Sequence, residues 1–196
     1  RAFYYRIDDY IQGVPADAGG PATRFVRMMN AMNGMNRPDP LRFDNVEAQL
    51  YGFDVDWSLR LSERFALSGL VNYVRGERRD IDDDLYRIAP LNATLRLDFS
   101  DGPWAATVET GAYASQDDVS ATNREQPSSA YATVNLRGAW QATSALQFAV
   151  GVDNLFDREY APHLGGYNRV RNPDVAMLER LPAPGVNVFG RVLYTF

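Results

Sequence analysis

Residues 185–196 read GVNVFGRVLYTF, and in this stretch apolar or small residues alternate with other residues up to the final position. One side of an extended chain would carry Val188, Gly190, Val192, Tyr194 and Phe196. A period of two is typical of a β-strand whose two faces meet different surroundings. Terminal residues are usually poorly ordered unless something holds them, so we expect this strand to be paired or recognised by a partner.

The same period of two recurs along the whole chain, and helical periodicity is scarce. The clearest case is residues 91–99, where five apolar residues alternate with four polar ones. Several such segments are about 11 residues or longer, against a common strand length of about 5–6. Tilted strands of roughly 9–11 residues can cross a bilayer. The pattern predicts eight strands, near residues 2–11, 45–61, 65–76, 88–99, 103–116, 129–140, 145–156 and 186–196.

The connections between these strands alternate between short and long. Short turns are expected at 62–64, 100–102 and 141–144, and long polar or Gly/Pro-rich loops near 12–44, 77–87, 117–128 and 157–185. Outer-membrane barrels show this asymmetry, with short periplasmic turns and longer extracellular loops. In a soluble β-sandwich, nothing requires the short connections to lie at one end of the strands and the long ones at the other. The loop lengths therefore predict a barrel whose long loops face outside.

Aromatic residues are concentrated near the ends of the predicted strands. Those near the short turns are Phe65, Phe99, Trp104, Trp140 and Phe196, and those near the long loops are Tyr73, Tyr113, Tyr131, Phe156 and Tyr160. Aromatic girdles at both membrane surfaces have this distribution, although aromatic residues also favour strands in soluble proteins. Together with the loop lengths, they predict an all-β fold, an antiparallel transmembrane β-barrel.

The composition excludes several classes of function. The 196 residues include 25 acidic and 20 basic ones, a net charge of −5, and every basic residue is an arginine. No nucleic acid is expected as a partner, because phosphate binding requires a basic face. Cysteine is absent, so this sequence holds no disulfide and no thiolate metal site. A mean hydropathy of −0.35 is compatible with a membrane barrel, whose lumen-facing residues are polar.

Two further absences bear on how the chain is organised. No stretch approaches the roughly 20 consecutive apolar residues of a membrane helix. No signal peptide precedes residues 1–5, RAFYY, which already have the character of a strand interior. We therefore expect the chain to be part of a longer protein.

The stretch GVDNLFDREY at 151–160, with a last strand that follows Pro184 and Gly185, resembles the C-terminal end of a TonB-dependent outer-membrane receptor. Residues 3–11 and 45–77 resemble other strands of the same barrel. The resemblance implies a plugged barrel of about 22 strands, of which residues 1–196 would supply about the last eight. The plug and the segment that contacts TonB are not in this sequence. The family motif G-V-x-N-L-F-D-x-x-Y is matched by Gly151, Val152, Asn154, Leu155, Phe156, Asp157 and Tyr160.

The resemblance implies energised uptake across the outer membrane of a Gram-negative bacterium, with no enzymatic activity and no required cofactor. The implied partners are outer-membrane lipid, TonB through the absent N-terminal region, and a metal or metal-chelate ligand. HLGGYNRV (163–170) and NVEAQLYGFDVDW (45–57) are similar to the copper-receptor branch of the family. Copper ion is therefore the favoured transported ligand, and a ferric siderophore is the alternative.

The resemblance also implies a role for the last strand. Val192, Tyr194 and Phe196 would face lipid in the strand that closes the barrel, and Phe196 is similar to the terminal signal that barrel-assembly machinery reads.

Two other interpretations stay open. One is a complete eight-stranded outer-membrane barrel with a structural or adhesive role, because eight is the smallest common strand number. The other is a soluble β-sandwich that acts as a binding module.

Four of the five methionines lie in the first long loop: Met28, Met29, Met32 and Met35. Thioether sulfur is a soft ligand that suits Cu(I). If the loop forms a short helix, Met28, Met32 and Met35 would share one face; alternatively, these side chains fill gaps between neighbouring loops.

His163 is the only histidine. It is either a metal ligand with partners elsewhere in the barrel or a loop residue without a special role.

The remaining charged residues do not predict catalysis. Asp80, Asp82, Asp83 and Asp84 lack the glycine and spacing of an EF-hand loop, and we expect them to be solvated or to attract cations at the pore mouth. A nucleophile paired with histidine would be the first sign of hydrolysis, and the single histidine lies in a loop without such a motif. Charged residues on the predicted lumen face are expected to pair with one another or with the plug; they are Asp54, Asp56, Arg60, Arg96, Asp98 and Arg137.

Overall fold

The computed structural model describes residues 1–35, 37, 39–171 and 173–196. In this part of the chain, eight strands form one antiparallel sheet in the order β1 to β8. The strands are β1 (Ala2–Pro15), β2 (Leu41–Arg60), β3 (Phe65–Arg78), β4 (Asn92–Asp101), β5 (Trp104–Tyr113), β6 (Tyr131–Gln141), β7 (Leu146–Asp153) and β8 (Asn187–Tyr194), and a helix, α1 (Pro21–Asn33), lies between β1 and β2. All eight predicted strands are therefore confirmed, and the largest shift of an end is four residues, as at β1, which ends at Pro15 and not at residue 11.

The register of the sheet produces two different faces. One row of directly paired residues crosses seven strands and is apolar throughout: Leu59, Leu67, Leu97, Val108, Leu136, Val152 and Val188. The neighbouring row on the opposite face includes Asp98, Thr107 and Arg137. Since side chains alternate between the faces of a strand, the period of two in the sequence becomes an apolar face and a polar face.

The sheet is open within the described residues. β1 pairs with β2, β8 pairs with β7, and the described residues of β1 and β8 do not pair with each other. A closed eight-stranded barrel, one of the alternatives from the sequence, would require that pairing. The described residues form no helix that is long and apolar enough to cross a membrane.

Aromatic side chains near the short turns lie on the apolar face, as the girdle prediction requires. Trp104 stacks on Trp140 with 5.4 Å between ring centroids, Trp140 on Phe148 at 5.7 Å, and Phe65 contacts Phe99 at 5.1 Å. The rings therefore form two groups at that end of the sheet, one on β3 and β4 and one on β5 to β7.

At the long-loop end, the girdle prediction was wrong for three tyrosines. Tyr113 and Tyr131 are paired on the polar face, and their rings stack at 4.7 Å. Tyr160 stacks on Tyr131 at 4.3 Å. The sequence pattern placed these residues near the strand ends correctly, but Tyr113 and Tyr131 alternate onto the polar face of β5 and β6.

The long-loop end contains most of the buried residues. Gln12, Thr23, Gln116, Ser120, Glu125, Asn154, His163 and Asn168 are buried polar or charged residues. The apolar face of the sheet is instead largely exposed, as at Val150 and Val192, each 63% exposed. The interior of this structure is therefore a polar one, built where the loops meet.

Candidate functional site at the long-loop end of the sheet

Four long loops leave the same edge of the sheet, because consecutive antiparallel strands bring every second connection to the same side. They are loop A (residues 16–40), loop B (79–91), loop C (114–130) and loop D (154–186). The connections at the opposite edge, 61–64, 102–103 and 142–145, are short. The predicted sorting of loop lengths is confirmed, and loops A to D together form the loop face.

Helix α1 carries three of the four candidate methionines of loop A. Met28 is 51% exposed and Met32 is 73% exposed, and they lie on one side of the helix at a spacing of four. Phe25 extends this exposed apolar stripe. Met29 is half-buried, and Met35 follows the helix end at Gly34, where its backbone N–H donates to the Asn30 carbonyl. The expected face of Met28, Met32 and Met35 is therefore wrong for Met35, because the helix stops before it.

Polar contacts hold α1 against the rest of loop A. Both carboxylate oxygens of Asp39 accept hydrogen bonds from the Arg27 guanidinium, at 3.1 and 2.6 Å. The same contact holds the pKa of Asp39 below its usual range. The Asn30 side chain exchanges two hydrogen bonds with the backbone of Arg37, at 2.8 and 3.1 Å. These contacts orient the helix so that Met28 and Met32 face outward.

The acidic cluster of loop B is used to join loops. Asp83 accepts hydrogen bonds from the backbone N–H groups of Ala121 and Thr122 in loop C, at 2.7 and 3.0 Å. Burial raises the pKa of Asp83, but the hydrogen bonds from loop C outweigh it, so that the pKa lies below its usual range. Asp84 pairs with Arg75 at 2.9 Å and Asp80 with Arg78. The expectation of a solvated cluster was therefore wrong for Asp83 and Asp84, which are half-buried, whereas Asp80 and Asp82 are exposed as expected. The described residues contain no group of three or more His, Cys, Asp or Glu that could hold a metal ion.

His163 lies in the interior of the loop face and not on its surface. Its Nδ1 is 2.9 Å from the Ser128 hydroxyl oxygen, and its Nε2 is 3.2 Å from Oε1 of Glu125, without a well-aligned hydrogen bond. The side chains of both His163 and Glu125 are 1% exposed. Burial lowers the pKa of His163, and Arg180 and Arg87 add to this effect against the opposing Glu125 carboxylate. Both ring nitrogens face protein groups, so this geometry presents no free nitrogen to a metal ion.

Glu125 and Arg180 are central to this interior, and neither was predicted as a site residue from the sequence. Arg180 donates to the carbonyl oxygens of His163 and Gln126, and its guanidinium lies 4.8 Å from the ring centroid of Tyr167. A buried charge leaves no signature in a single sequence, because its burial depends on contacts between separate loops.

A cavity of about 460 Å³ lies between loops C and D, lined by Tyr131, Tyr160, Arg158, Glu159 and Arg180 among others.

The family motif forms the corner between β7 and loop D. Asn154 adopts a left-handed backbone with φ 50°, and its side chain exchanges two 2.8 Å hydrogen bonds with the backbone of Arg158. Asp157, also left-handed, accepts a 2.8 Å hydrogen bond from the Val186 N–H, 29 residues later. A Cβ at Gly185 would lie 2.5 Å from this carboxylate oxygen. The motif and the Pro-Gly step before β8 are thus parts of one corner.

The other motif residues extend from this corner. The N–H of Leu155 donates to the Val134 carbonyl at 2.8 Å. Phe156 is 74% exposed, and Tyr160 ends the inward tyrosine stack. Gly151 faces Phe189 of β8 across the strand pair.

The last strand presents the predicted side chains on the apolar face. Val192 pairs with Phe148 and Tyr194 with Leu146, and both are exposed. Phe196 lies beyond β8, with its ring centroid 6.1 Å from that of Tyr194. The role of Phe196 in barrel assembly stays a prediction.

Charged residues on the polar face pair with close neighbours. Arg96 contacts Asp98 on the same strand at 2.9 Å, and Asp98 accepts a 2.6 Å hydrogen bond from the Thr107 hydroxyl. Arg137 pairs with Asp153 of β7. The expected pairing is thus confirmed for Arg96 with Asp98, whereas Arg137 pairs with Asp153, which was not among the six predicted residues.

Comparison with known proteins agrees with this architecture. The family described as "TonB dependent receptor-like, beta-barrel" matches residues 1–155. No curated protein matches the sequence significantly. Among solved structures, the copper transporter OprC is similar over 100% of this chain and 29% of its own, with a TM-score of 0.82 and 23% identity.

Two receptors for iron complexes are also similar in fold. The ferric enterobactin receptor PfeA from Pseudomonas aeruginosa is similar over 100% of this chain and 28% of its own, with a TM-score of 0.65 and 19% identity. The ferric yersiniabactin uptake receptor FyuA from Yersinia pestis is similar over 79% of this chain and 25% of its own, with a TM-score of 0.60 and 18% identity. This chain thus spans less than a third of the length of each of the three proteins.

These likenesses concern the fold, and the family match is the stronger finding because it extends over most of the chain. The family comprises transport receptors of the Gram-negative outer membrane and is not a family of enzymes. With its antiparallel sheet, its sorted loops and the match over residues 1–155, the chain belongs to the TonB-dependent receptor family, as part of the β-barrel.

Proposed function

We propose that this chain forms barrel wall and outer loops of a receptor that imports a metal ion or metal complex across the outer membrane, with energy supplied through TonB. The observation that carries the proposal is the sheet itself, with an apolar row across seven strands, a polar opposite face and all long loops at one edge. An apolar outer face and a polar lumen are what a bilayer requires of such a wall.

Copper ion is the favoured ligand. The similarity in fold to the copper transporter OprC extends over the whole of this chain. Met28 and Met32 add two exposed thioethers on one side of α1, and soft sulfur ligands favour Cu(I) over hard cations. Met29, Met35 and His163 are not part of this proposed pair, since they are half-buried or enclosed by other groups.

A ferric siderophore is the second candidate. PfeA and FyuA, both receptors for iron complexes, are also similar in fold. The cavity between loops C and D is large enough, at about 460 Å³, for part of a chelate, and Tyr131, Tyr160, Arg158 and Arg180 would contact an aromatic or anionic group there.

The proposed partners follow from the same assignment. The apolar face would contact outer-membrane lipid, and β8 would be recognised by barrel-assembly machinery at Phe196. TonB would act through a region outside this sequence. Catalysis and nucleic-acid binding are not part of the proposal.

The test uses the full-length receptor in its own cells. An epitope inserted beside the exposed Val170 of loop D should be accessible to antibody on intact cells, and one inserted at the short turn 142–145 should not. Accumulation of copper and of siderophore-bound iron should then be compared with and without TonB. TonB-dependent accumulation of copper supports the favoured ligand, and accumulation of iron alone supports the second candidate. Accessible short turns, or equal accumulation without TonB, would refute the proposed function.

A further inference from the structure

The Glu125 carboxylate connects three separate loops of the loop face. It accepts hydrogen bonds from the Arg87 N–H of loop B, at 3.1 and 3.3 Å, and from the Ser120 N–H of its own loop C, at 3.2 Å. Its Oε1 also lies 3.2 Å from Nε2 of His163 in loop D. A side chain that is 1% exposed therefore contacts backbone donors from loops B and C and the imidazole ring of loop D.

The backbone around this carboxylate adopts an uncommon conformation. Arg87 has a φ of 64° and Arg124, next to Glu125, a φ of 51°. Left-handed backbone is unfavourable for residues other than glycine and persists where the surroundings hold it. Both carboxylate oxygens of Glu125 accept hydrogen bonds from the backbone N–H of Arg87, one of these two left-handed residues.

Two arginine side chains also link these loops, by hydrogen bonds that do not involve the Glu125 carboxylate. The Arg87 guanidinium donates to the Leu164 carbonyl of loop D, and Arg180 of loop D donates to the Gln126 carbonyl of loop C at 2.6 Å. These contacts draw the same three loops together, so the arrangement around Glu125 is supported on several sides. A buried charge that accepts hydrogen bonds is costly to disturb, because its donors are then left unpaired.

We propose that Glu125 is the positioning residue of the loop face, whose carboxylate holds loops B, C and D in the arrangement that captures ligand. Its effect on uptake rests on the proposed function, whereas its effect on the loops can be measured without it. Glu125 contacts no ligand in this proposal; it acts through Arg87, Ser120 and His163.

The first experiment follows amide hydrogen exchange in the full-length receptor, comparing the wild type with Glu125→Gln. Gln keeps the size of the side chain but replaces one acceptor oxygen with an NH₂ group, which faces backbone donors. We expect exchange about tenfold faster or more around this position in loops B, C and D together, with the strands unchanged. Glu63→Gln, at an exposed position in the short turn 61–64 at the opposite edge of the sheet, is the matched control and should change nothing. Faster exchange confined to loop C would overturn the proposal.

The wild-type receptor provides a test that does not depend on folding of a variant. The Arg87 and Ser120 amides are held by the same carboxylate, so they should become exchangeable in one opening event, with a common opening rate. Clearly different opening rates for these two amides would show that Glu125 does not couple the loops.

The uptake experiment uses copper ion alone as the probe. Glu125→Gln should raise KM about tenfold and leave Vmax unchanged, because the outer loops capture ligand but do not move it through the barrel. A lower Vmax at unchanged KM would contradict a role in capture. If the wild type shows no TonB-dependent copper uptake, the favoured ligand is wrong, and the exchange measurements alone decide whether Glu125 positions the loops.

Discussion

The ring of Phe189 in β8 occupies the space where a side chain at Gly151 of β7 would lie. The two residues are directly paired, and a Cβ at position 151 would be 2.3 Å from Cζ of Phe189. On the same face, the Arg137 guanidinium lies 5.1 Å from the centroid of this ring. Glycine at the start of the family motif is therefore explained by an aromatic residue about forty positions later in the sequence.

Replacing Gly151 by alanine should weaken the pairing of β7 with β8. The Phe189 ring must turn away, and overpacking of this kind costs about 1–3 kcal/mol. The free energy of unfolding of the full-length receptor in detergent, measured with urea, would show the loss. Phe189→Leu combined with Gly151→Ala should recover part of it. The control is Gly138→Ala, where the new Cβ would meet Val150 at an ordinary 3.6 Å; an equal loss in both alanine variants would contradict the explanation.

The three tryptophans of this chain should be in contact with lipid. Trp57 lies two residues from Leu59 on the apolar face of β2, and Trp104 and Trp140 are paired with each other on the same face. Brominated lipid should therefore quench the part of the fluorescence that is lost when each is replaced by phenylalanine. Aqueous iodide should have little effect on that part. Strong quenching by iodide without quenching by brominated lipid would place the apolar face in water.

Met28→Leu together with Met32→Leu should reduce Cu(I) binding by the full-length receptor. Leucine preserves size and helix formation but has no sulfur ligand, so we expect the affinity to fall on the order of tenfold or more. Titration with a competing Cu(I) chelator measures the change. Met177→Leu in loop D, also an exposed methionine, is the matched control. An unchanged affinity in the double variant would exclude α1 as a copper site.

Asp83 should keep loops B and C together at a pH below the ordinary pKa of an aspartate. Its pKa in the folded protein lies below the ordinary value of 3.8, so this contribution to stability is fully present above that value and is lost as the pH falls through the lower, folded-state pKa. Hydrogen exchange of the Ala121 and Thr122 amides should therefore become faster only once the pH is below 3.8. Asp83→Ala should expose both amides at neutral pH by removing their acceptor. Asp82→Ala, at an exposed position, should not.

Local patterns in the sequence were enough for most of the fold. The alternation in residues 91–99 survives as the two faces of β4, and the short turns and long loops lie at opposite edges of the sheet. These features are readable because side-chain direction in a strand follows sequence position directly. The same alternation puts Tyr131 on the side of Thr133 and Asn135, and the girdle prediction overlooked it; the pairing of Tyr131 with Tyr113 is what the structure adds.

The loop face was much less predictable. Met28 and Met32 share a side of α1 as spacing suggested, but Met35 does not, because the helix ends at Asn33. His163 was a candidate ligand or a surface residue, and it is a buried neighbour of Glu125. The acidic residues of loop B were expected to be solvated, and Asp83 instead binds the backbone of loop C.

The sequence by itself determined the strands, their two faces, the sorting of the loops and the family, because each of these is written in neighbouring residues or in a short motif. Tertiary structure alone decided that Asp157 meets Val186, that Phe189 covers Gly151 and that Glu125 joins loops B, C and D. Those contacts link residues between 5 and 38 positions apart. They arise because the register of the sheet brings the loop ends together, and a single sequence does not record that register.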